Sequence, residues 1–456
     1  MARITDLLTV PTSGAYYYDD LNALQAKALP ESERYTAVPV TPGIQNVREP
    51  AEALSVGLVL DTGQVAWGEC TAVEFSGSAG RYPVFRSQAG QETIKNKLAP
   101  ILIGQSIPPF RALAQEIDQL LERVIEEQLL PEKNPGDKMT RRELFTSAGR
   151  RLSSSPQTKQ VAIERQLHSA VRYGVSQALL QAAAISQRKT ITEIICEEWN
   201  LPLPADPIPI HAQCGNNRYQ GVEKMIVRGV SLLPCSLVDN IPDQLGKNAR
   251  QLIQYAKWIK RRIIELGGKD YNPTIHLDVH GGLGILYDQD PGKILGALYA
   301  LERAVNPYLL RIECPVICDS LESQIEVMKT LREFIHFRNM RVQLVADEWT
   351  NSLEDIQVFL DNEAADMIQI KMPDLGSVHN AVDAILACQA RKVGAFLGRS
   401  CAETDLTARI SAQVALALQP EIIFTKPGMR IDEGISIIHN EMARTLARIH
   451  HTSLPS

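Results

Sequence analysis

Lys371 stands in a short apolar run, MIQIKM (367–372), that is too brief for an ordinary helix and meets Pro373, so it reads as a buried strand. Gln369 and Lys371 are two residues apart and leave the same face of that strand. A lysine in a buried strand is costly unless it has a partner or a task, and burial makes its proton easier to lose, which suits a general base. The plain alternative is a lysine at the frayed strand end, reaching solvent, and on this run alone the two readings are level. Three further runs, TIHLDV (274–279), LLRIEC (309–314) and QLVADE (343–348), each deliver a carboxylate near their ends: Asp278, Glu313 and Asp347. Singly, each reads as a turn or helix cap. Three on consecutive strands would converge, and converging carboxylates need a cation among them. Hard oxygen ligands without His or Cys favour Mg²⁺ over zinc. A cation that grips a carboxylate substrate, beside a lysine base, is equipment for removing a proton α to that carboxylate.

The elements that must position these groups form a regular series. Strand-like runs recur at IPIHAQ (208–213), MIVRGV or SLLPC (225–235), the three carboxylate runs, MIQIKM, AFLGRS (395–400) and IIFTKP (422–427). Helical patterns lie between most of them, as at 252–266, 294–305 and 381–388. Eight alternating β/α units without a glycine-rich phosphate loop predict an α/β chain with a (β/α)8 TIM-type barrel; a doubly wound sheet is the runner-up. Upstream, 35–40, 54–60 and 65–70 read as antiparallel strands, and 93–102 and 110–129 as helices. The expected organisation is an α+β N-terminal capping domain over 1–165, the barrel over 166–430, and a C-terminal helix over 431–456 that packs back on the first domain or on a partner.

Composition narrows the function classes. The chain has 456 residues, 45% hydrophobic and 22% charged, with a net charge of −6, which suits a soluble globular protein of about two domains. No basic stripe interleaved with aromatics points to nucleic acid, and no apolar run is long enough to cross a bilayer. No signal or transit pattern is read at the start. Eight cysteines lie scattered at 70, 196, 214, 235, 314, 318, 388 and 401 with no C-x-x-C pair, so reduced thiols in a cytoplasmic protein are expected.

The D-E-D set on strands three to five with Lys371 on strand six resembles the enolase superfamily. The local sequences are similar to its methylaspartate ammonia-lyase family at SGSAGR (76–81), VRYGVSQALL (171–180), AQCGNNRY (212–219), HLDVHG (276–281), RIECP (311–315), LVADEW (344–349), MIQIKMPDLG (367–376), SCAET (400–404) and KPGMRIDEG (426–434). The resemblance implies an enolase-like fold in which Asp278, Glu313 and Asp347 bind Mg²⁺, with a monovalent cation such as K⁺ as a further candidate. Lys371 would take the C3 proton of threo-3-methylaspartate, and ammonia would leave C2 to give mesaconate. Gln213, Gln369, Ser400 and Cys401 fall where the family contacts the substrate's carboxylates and amino group. A homodimer acting on an amino diacid in glutamate degradation is further implied. The alternative outcome is α-proton abstraction from another amino or hydroxy diacid.

This sequence departs from the family at informative places. The family's second acid/base, a histidine on the opposite face of the substrate, falls on Cys235, a thiol of higher ordinary pKa. Ser400 replaces a threonine, and Cys314 stands where glycine is frequent. His211 and His280 are the histidines that could compensate, but the expectation is that His211 is a core residue and His280 a solvated loop residue.

Overall fold

Seven of the eight expected runs, together with the SLLPC alternative for the second, pair as a single parallel sheet. The computed structural model describes residues 2–26, 29–107, 109–129, 158–212, 217–234, 238, 240–398, 400–426 and 430–452. Its barrel strands are β6 (Ile210–His211), β7 (Leu232–Leu233), β8 (Thr274–Asp278), β9 (Leu310–Glu313), β10 (Val342–Ala346), β11 (Met367–Ile370), β12 (Gly394–Leu397) and β13 (Ile422–Phe424). They are ordered β6-β13-β12-β11-β10-β9-β8-β7, every pairing parallel, so successive strands lie side by side as in a nearly closed barrel, and the doubly wound alternative fails. Residues 225–227, the start of MIVRGV, belong instead to the helix Arg218–Val227.

The barrel interior follows the two-residue period of its strands. Leu232, Val345, Met367, Phe396, Ile422 and Phe424 form one buried cluster. His211 and His276 pack their rings against the same aromatics, His211 at 5.6 Å from Phe396 and 5.4 Å from Phe424. Two residues beyond His276 on the same face is Asp278, so the apolar floor directly underlies the carboxylates.

The N-terminal region builds an antiparallel sheet of β1 (Ile4–Asp19), β2 (Arg48–Leu60) and β3 (Val65–Cys70). Residues 35–40, expected as a strand, are turns and irregular backbone. The Asp20 carboxylate draws that stretch aside by accepting the N–H groups of Val40 at 2.6 Å and Thr41 at 2.9 Å. The helix expected over 110–129 stops at Asp118. Leu121–Leu129 is β4 instead, paired antiparallel with β5 (Thr158–Gln166), in keeping with the β-branched Val124 and Ile125 and the matching VAI of its partner. Residues Gln119–Leu167 form a compact unit of their own; Met1–Asp118 and His168–Ser456 form the other, so the N-terminal sheet and the barrel belong to one body.

Within that body the helix Ser169–Gln187 is buried over most of its length. The helix Ile431–Thr452 lies along the helix Asp405–Leu418, where Gln413 donates to Glu441 at 2.8 Å. No helix among the described residues is long and apolar enough to cross a membrane.

Candidate active site

Parallel register delivers the charged groups to one end of the barrel. Asp278 pairs with Glu313 across β8 and β9, and Glu313 with Val345 across β9 and β10. Ala346 pairs with Ile368, so Asp347 and Gln369 follow side by side and Lys371 comes one layer higher. All of these side chains are buried, and Lys371 is only 7% exposed, which removes the frayed-end reading. Its ammonium contacts Asp347 Oδ1. Gln369 donates its amide to Glu313 Oε1, and His276 Nε2 pairs with Glu313 Oε2 at 2.6 Å. Asp278 Oδ1 accepts the His280 N–H at 3.0 Å.

A second tier of charge surrounds these groups. Glu348, fully buried, accepts from the Cys314 thiol. Burial pushes that thiol well above its ordinary range, and the Glu348, Asp347 and Asp278 charges raise it further, so Cys314 stays protonated. Its φ of 49° lies in the left-handed region, which explains why glycine suits this position in the resembling family. His280 is not the solvated loop residue expected. Phe75 of the N-terminal region covers its ring at 4.5 Å, and its Nδ1 lies 3.9 Å from both Asp278 Oδ1 and Glu348 Oε1. His211, by contrast, sits in the barrel core as expected.

Arg81, the cation of the SGSAGR loop, reaches across to the barrel. Its Nε donates to Asp374 at 3.2 Å, and its Nη2 lies 3.7 Å from Glu348 and 3.9 Å from Asp347. Burial opposes the guanidinium's charge, but these three carboxylates more than offset it and keep Arg81 charged. Burial holds Asp374 above its usual carboxylate range, with Arg81 and Lys371 pulling it back. The loop is fastened further by Asn351, which donates to the Ala79 carbonyl at 2.7 Å. Behind Asp374 the backbone turns at Gly376, whose φ is +79° and where a Cβ would meet the Arg172 guanidinium at 2.4 Å. Arg172 in turn donates to Asp118 at 3.1 Å, and Ser377 donates to the same carboxylate at 2.6 Å.

Ser400 and Cys401 lie beyond β12, both buried, and the Ser400 hydroxyl has no hydrogen-bond partner among the described residues. The N-terminal strand also touches this loop. The β1–β2 register slips between Ser13 and Tyr17, and there the Ala15 N–H donates to the Ala402 carbonyl at 3.1 Å. Gly14 permits this approach, since a Cβ on it would stand 2.7 Å from that same oxygen. Gln213 and Cys235, the remaining site residues expected from sequence, lie outside the described residues. His276, Glu348, Asp374 and Arg81 were not singled out by sequence, although each lies in one of the stretches that carry the resemblance and His276 shares a face with Asp278.

Asp278, Glu313 and Asp347 offer only carboxylate oxygens, a donor set that fits Mg²⁺ in chemistry. As placed, Asp347 is turned to Lys371, and among the described residues no three His, Cys, Asp or Glu side chains are gathered closely enough to grip one ion.

Comparison with known proteins agrees over nearly the whole chain. Residues 2–200 match the methylaspartate ammonia-lyase N-terminus model and residues 202–451 the C-terminus model. The methylaspartate ammonia-lyase of Clostridium tetanomorphum is 37% identical over 448 residues, 98% of this chain and 99% of that one. The crystal structure of β-methylaspartase from that organism, an Mg complex, matches with a TM-score of 0.82 at 36% identity, covering 99% of this chain and 100% of the other. The Citrobacter amalonaticus methylaspartate ammonia lyase containing (2S,3S)-3-methylaspartic acid matches with a TM-score of 0.85 at 35% identity, covering 98% and 100%. Muconate lactonizing enzyme from Pseudomonas fluorescens, 15% identical with a TM-score of 0.58 over 92% of this chain and 87% of its own, shares the fold alone. With the two family models together matching residues 2–200 and 202–451 and the relatives' fold reproduced, this chain belongs to the methylaspartate ammonia-lyase family.

Proposed function

We propose that this protein eliminates ammonia from threo-3-methylaspartate to give mesaconate, with Lys371 as the base. The observation that carries the reading is the buried ammonium of Lys371 against Asp347, beside the Gln369–Glu313 hydrogen bond. Asp278, Glu313 and Asp347 would hold Mg²⁺, which when bound supplies positive charge to a substrate carboxylate as negative charge builds on it. Lys371 takes the C3 proton once it has given up the proton that its ammonium holds against Asp347. The electrons of the C3–H bond then form the C2–C3 double bond as the C2–N bond breaks, and nitrogen departs with its electron pair as ammonia. Gln369, Ser400 and Cys401 would orient the carboxylates and the amino group, and the Ser400 hydroxyl, which has no hydrogen-bond partner among the described residues, supports that role. Gln213 would join them. Burial under the N-terminal region keeps water from the reacting centre.

The test is the rise of mesaconate absorbance with purified protein, (2S,3S)-3-methylaspartate and Mg²⁺, beside Lys371→Ala. A rise that needs both the cation and Lys371 upholds the proposal. A folded, Mg²⁺-binding protein that produces no rise rejects the substrate.

A further inference from the structure

Away from the carboxylates, a second buried charge pair lies beyond β12 and β13. Lys426 Nζ stands 2.7 Å from Glu403 Oε2 and donates to Ser411 Oγ at 3.2 Å. Glu403 Oε1 accepts the Tyr173 hydroxyl at 2.6 Å. Lys426, Glu403, Tyr173 and Ser411 are all 0% exposed. A fully desolvated ion pair adds little net stability over an apolar packing of the same shape, so its presence calls for another account.

The four residues come from four places that have only one thing in common. Tyr173 belongs to the helix Ser169–Gln187, Ser411 to the helix Asp405–Leu418, and Lys426 to the segment leaving β13. Glu403 is the only one in the loop between β12 and the second of these helices, and that loop carries Ser400 and Cys401. Its carboxylate thus ties the loop directly to Tyr173 of one helix and to Lys426 just past β13, and through Lys426 to Ser411 of the other helix. The Glu403 N–H donates back to the Ser400 carbonyl at 3.4 Å, closing a tight turn around Cys401 and Ala402. Immediately downstream Thr404 caps the helix with its hydroxyl.

We infer that Lys426 and Glu403 are a positioning pair that, together with Tyr173, fixes the loop bearing Ser400 and Cys401 and so governs how tightly the substrate is held. Neither residue takes part in proton transfer; both act through the loop. This rests on the proposed role of Ser400 and Cys401 as substrate contacts.

The test uses the double variant Lys426→Met with Glu403→Gln, because Glu403→Gln alone would strand a buried ammonium. Methionine keeps the stem, and glutamine still accepts from Tyr173. The double variant is expected to melt as one cooperative unit and to bind Mg²⁺ like the parent. Its KM for (2S,3S)-3-methylaspartate should rise roughly ten- to a hundredfold, the worth of one or two polar contacts, with kcat within about threefold. Hydrogen exchange of peptides spanning 398–404 should quicken while the β8–β10 peptides stay protected. Unchanged exchange in a folded double variant overturns the inference, as does quicker exchange with unchanged KM. If the parent protein does not turn over methylaspartate, the proposed substrate falls, and the exchange arm alone then decides the clamp.

Discussion

Replacing Arg81 with methionine removes a cation from a fully buried cluster and leaves Asp374, Glu348 and Asp347 without it. The Arg81 side chain is 1% exposed, and its nitrogens stand 3.2, 3.7 and 3.9 Å from those carboxylates. At 3.2 Å and an effective dielectric of about 20, a unit charge pair is worth about 5 kcal/mol before desolvation is subtracted. Each of the longer contacts is worth about 4 kcal/mol on the same scale. Removing the guanidinium also relieves its own burial cost, so the net loss should be about 3–5 kcal/mol, as for other broken buried pairs. Denaturant unfolding followed by circular dichroism, with reversibility checked by dilution, reads this directly. Adding Asp374→Asn to Arg81→Met should recover about 1–2 kcal/mol, because one stranded charge is then gone. A single variant within about 1 kcal/mol of the parent, or no recovery in the double, would refute the reasoning.

Three more outcomes follow from the same geometry. If Cys235 takes the place of the family's second acid/base, as the sequence resemblance implies, initial rates on the two 3-methylaspartate diastereomers should differ by at least about a hundredfold in favour of the one served by Lys371, the low end of what a placed acid/base contributes; equal rates would sink that view. Gly376→Ala should destabilise the protein by about 2 kcal/mol or more, through its positive φ and the Arg172 guanidinium its methyl would meet, and a melting temperature matching the parent would contradict this. His379 is held below the usual histidine range by burial, against the raising effect of Asp118 and Asp383, with Arg111 and Arg172 adding to the depression. A depressed imidazole contributes stability that is full above its unfolded value near 6.5 and fades as pH falls below it. His379→Gln should therefore flatten the stability profile as pH falls below about 6.5, and an unchanged slope would count against it.

Much of the barrel was legible because short apolar strands punctuated by Gly, Pro and helical spacing carry their own register. Asp278, Glu313, Asp347 and Lys371 could be picked out as strand-end charges since parallel pairing leaves a polar group there little else to do. Tertiary overrides were hidden. The turn at 35–40 exists because Asp20 captures two amides, and the β4 strand reads as helix until its partner 158–166 is supplied. The supporting charges were beyond reach for a simpler reason. Arg81 and Asp374 lie 293 residues apart, and Tyr173 and Glu403 lie 230 apart, so no local spacing could join them. The burial of His280 was hidden because its cover, Phe75, lies far upstream in the sequence.

The contact between Ala15 and Ala402 has a consequence for biosynthesis. The irregular stretch of β1 that seats the Ser400–Cys401 loop leaves the ribosome well before its partner, since Ala402 lies far downstream of Ala15. At about 5–20 residues per second, roughly 20–80 s separate the two. Throughout that interval β1 can pair with β2, but the segment around Gly14 has nothing to rest on. A nascent intermediate that lacks Ala402 therefore cannot seat the Ser400–Cys401 loop against the N-terminal strand, and a chain truncated before that residue loses this support outright.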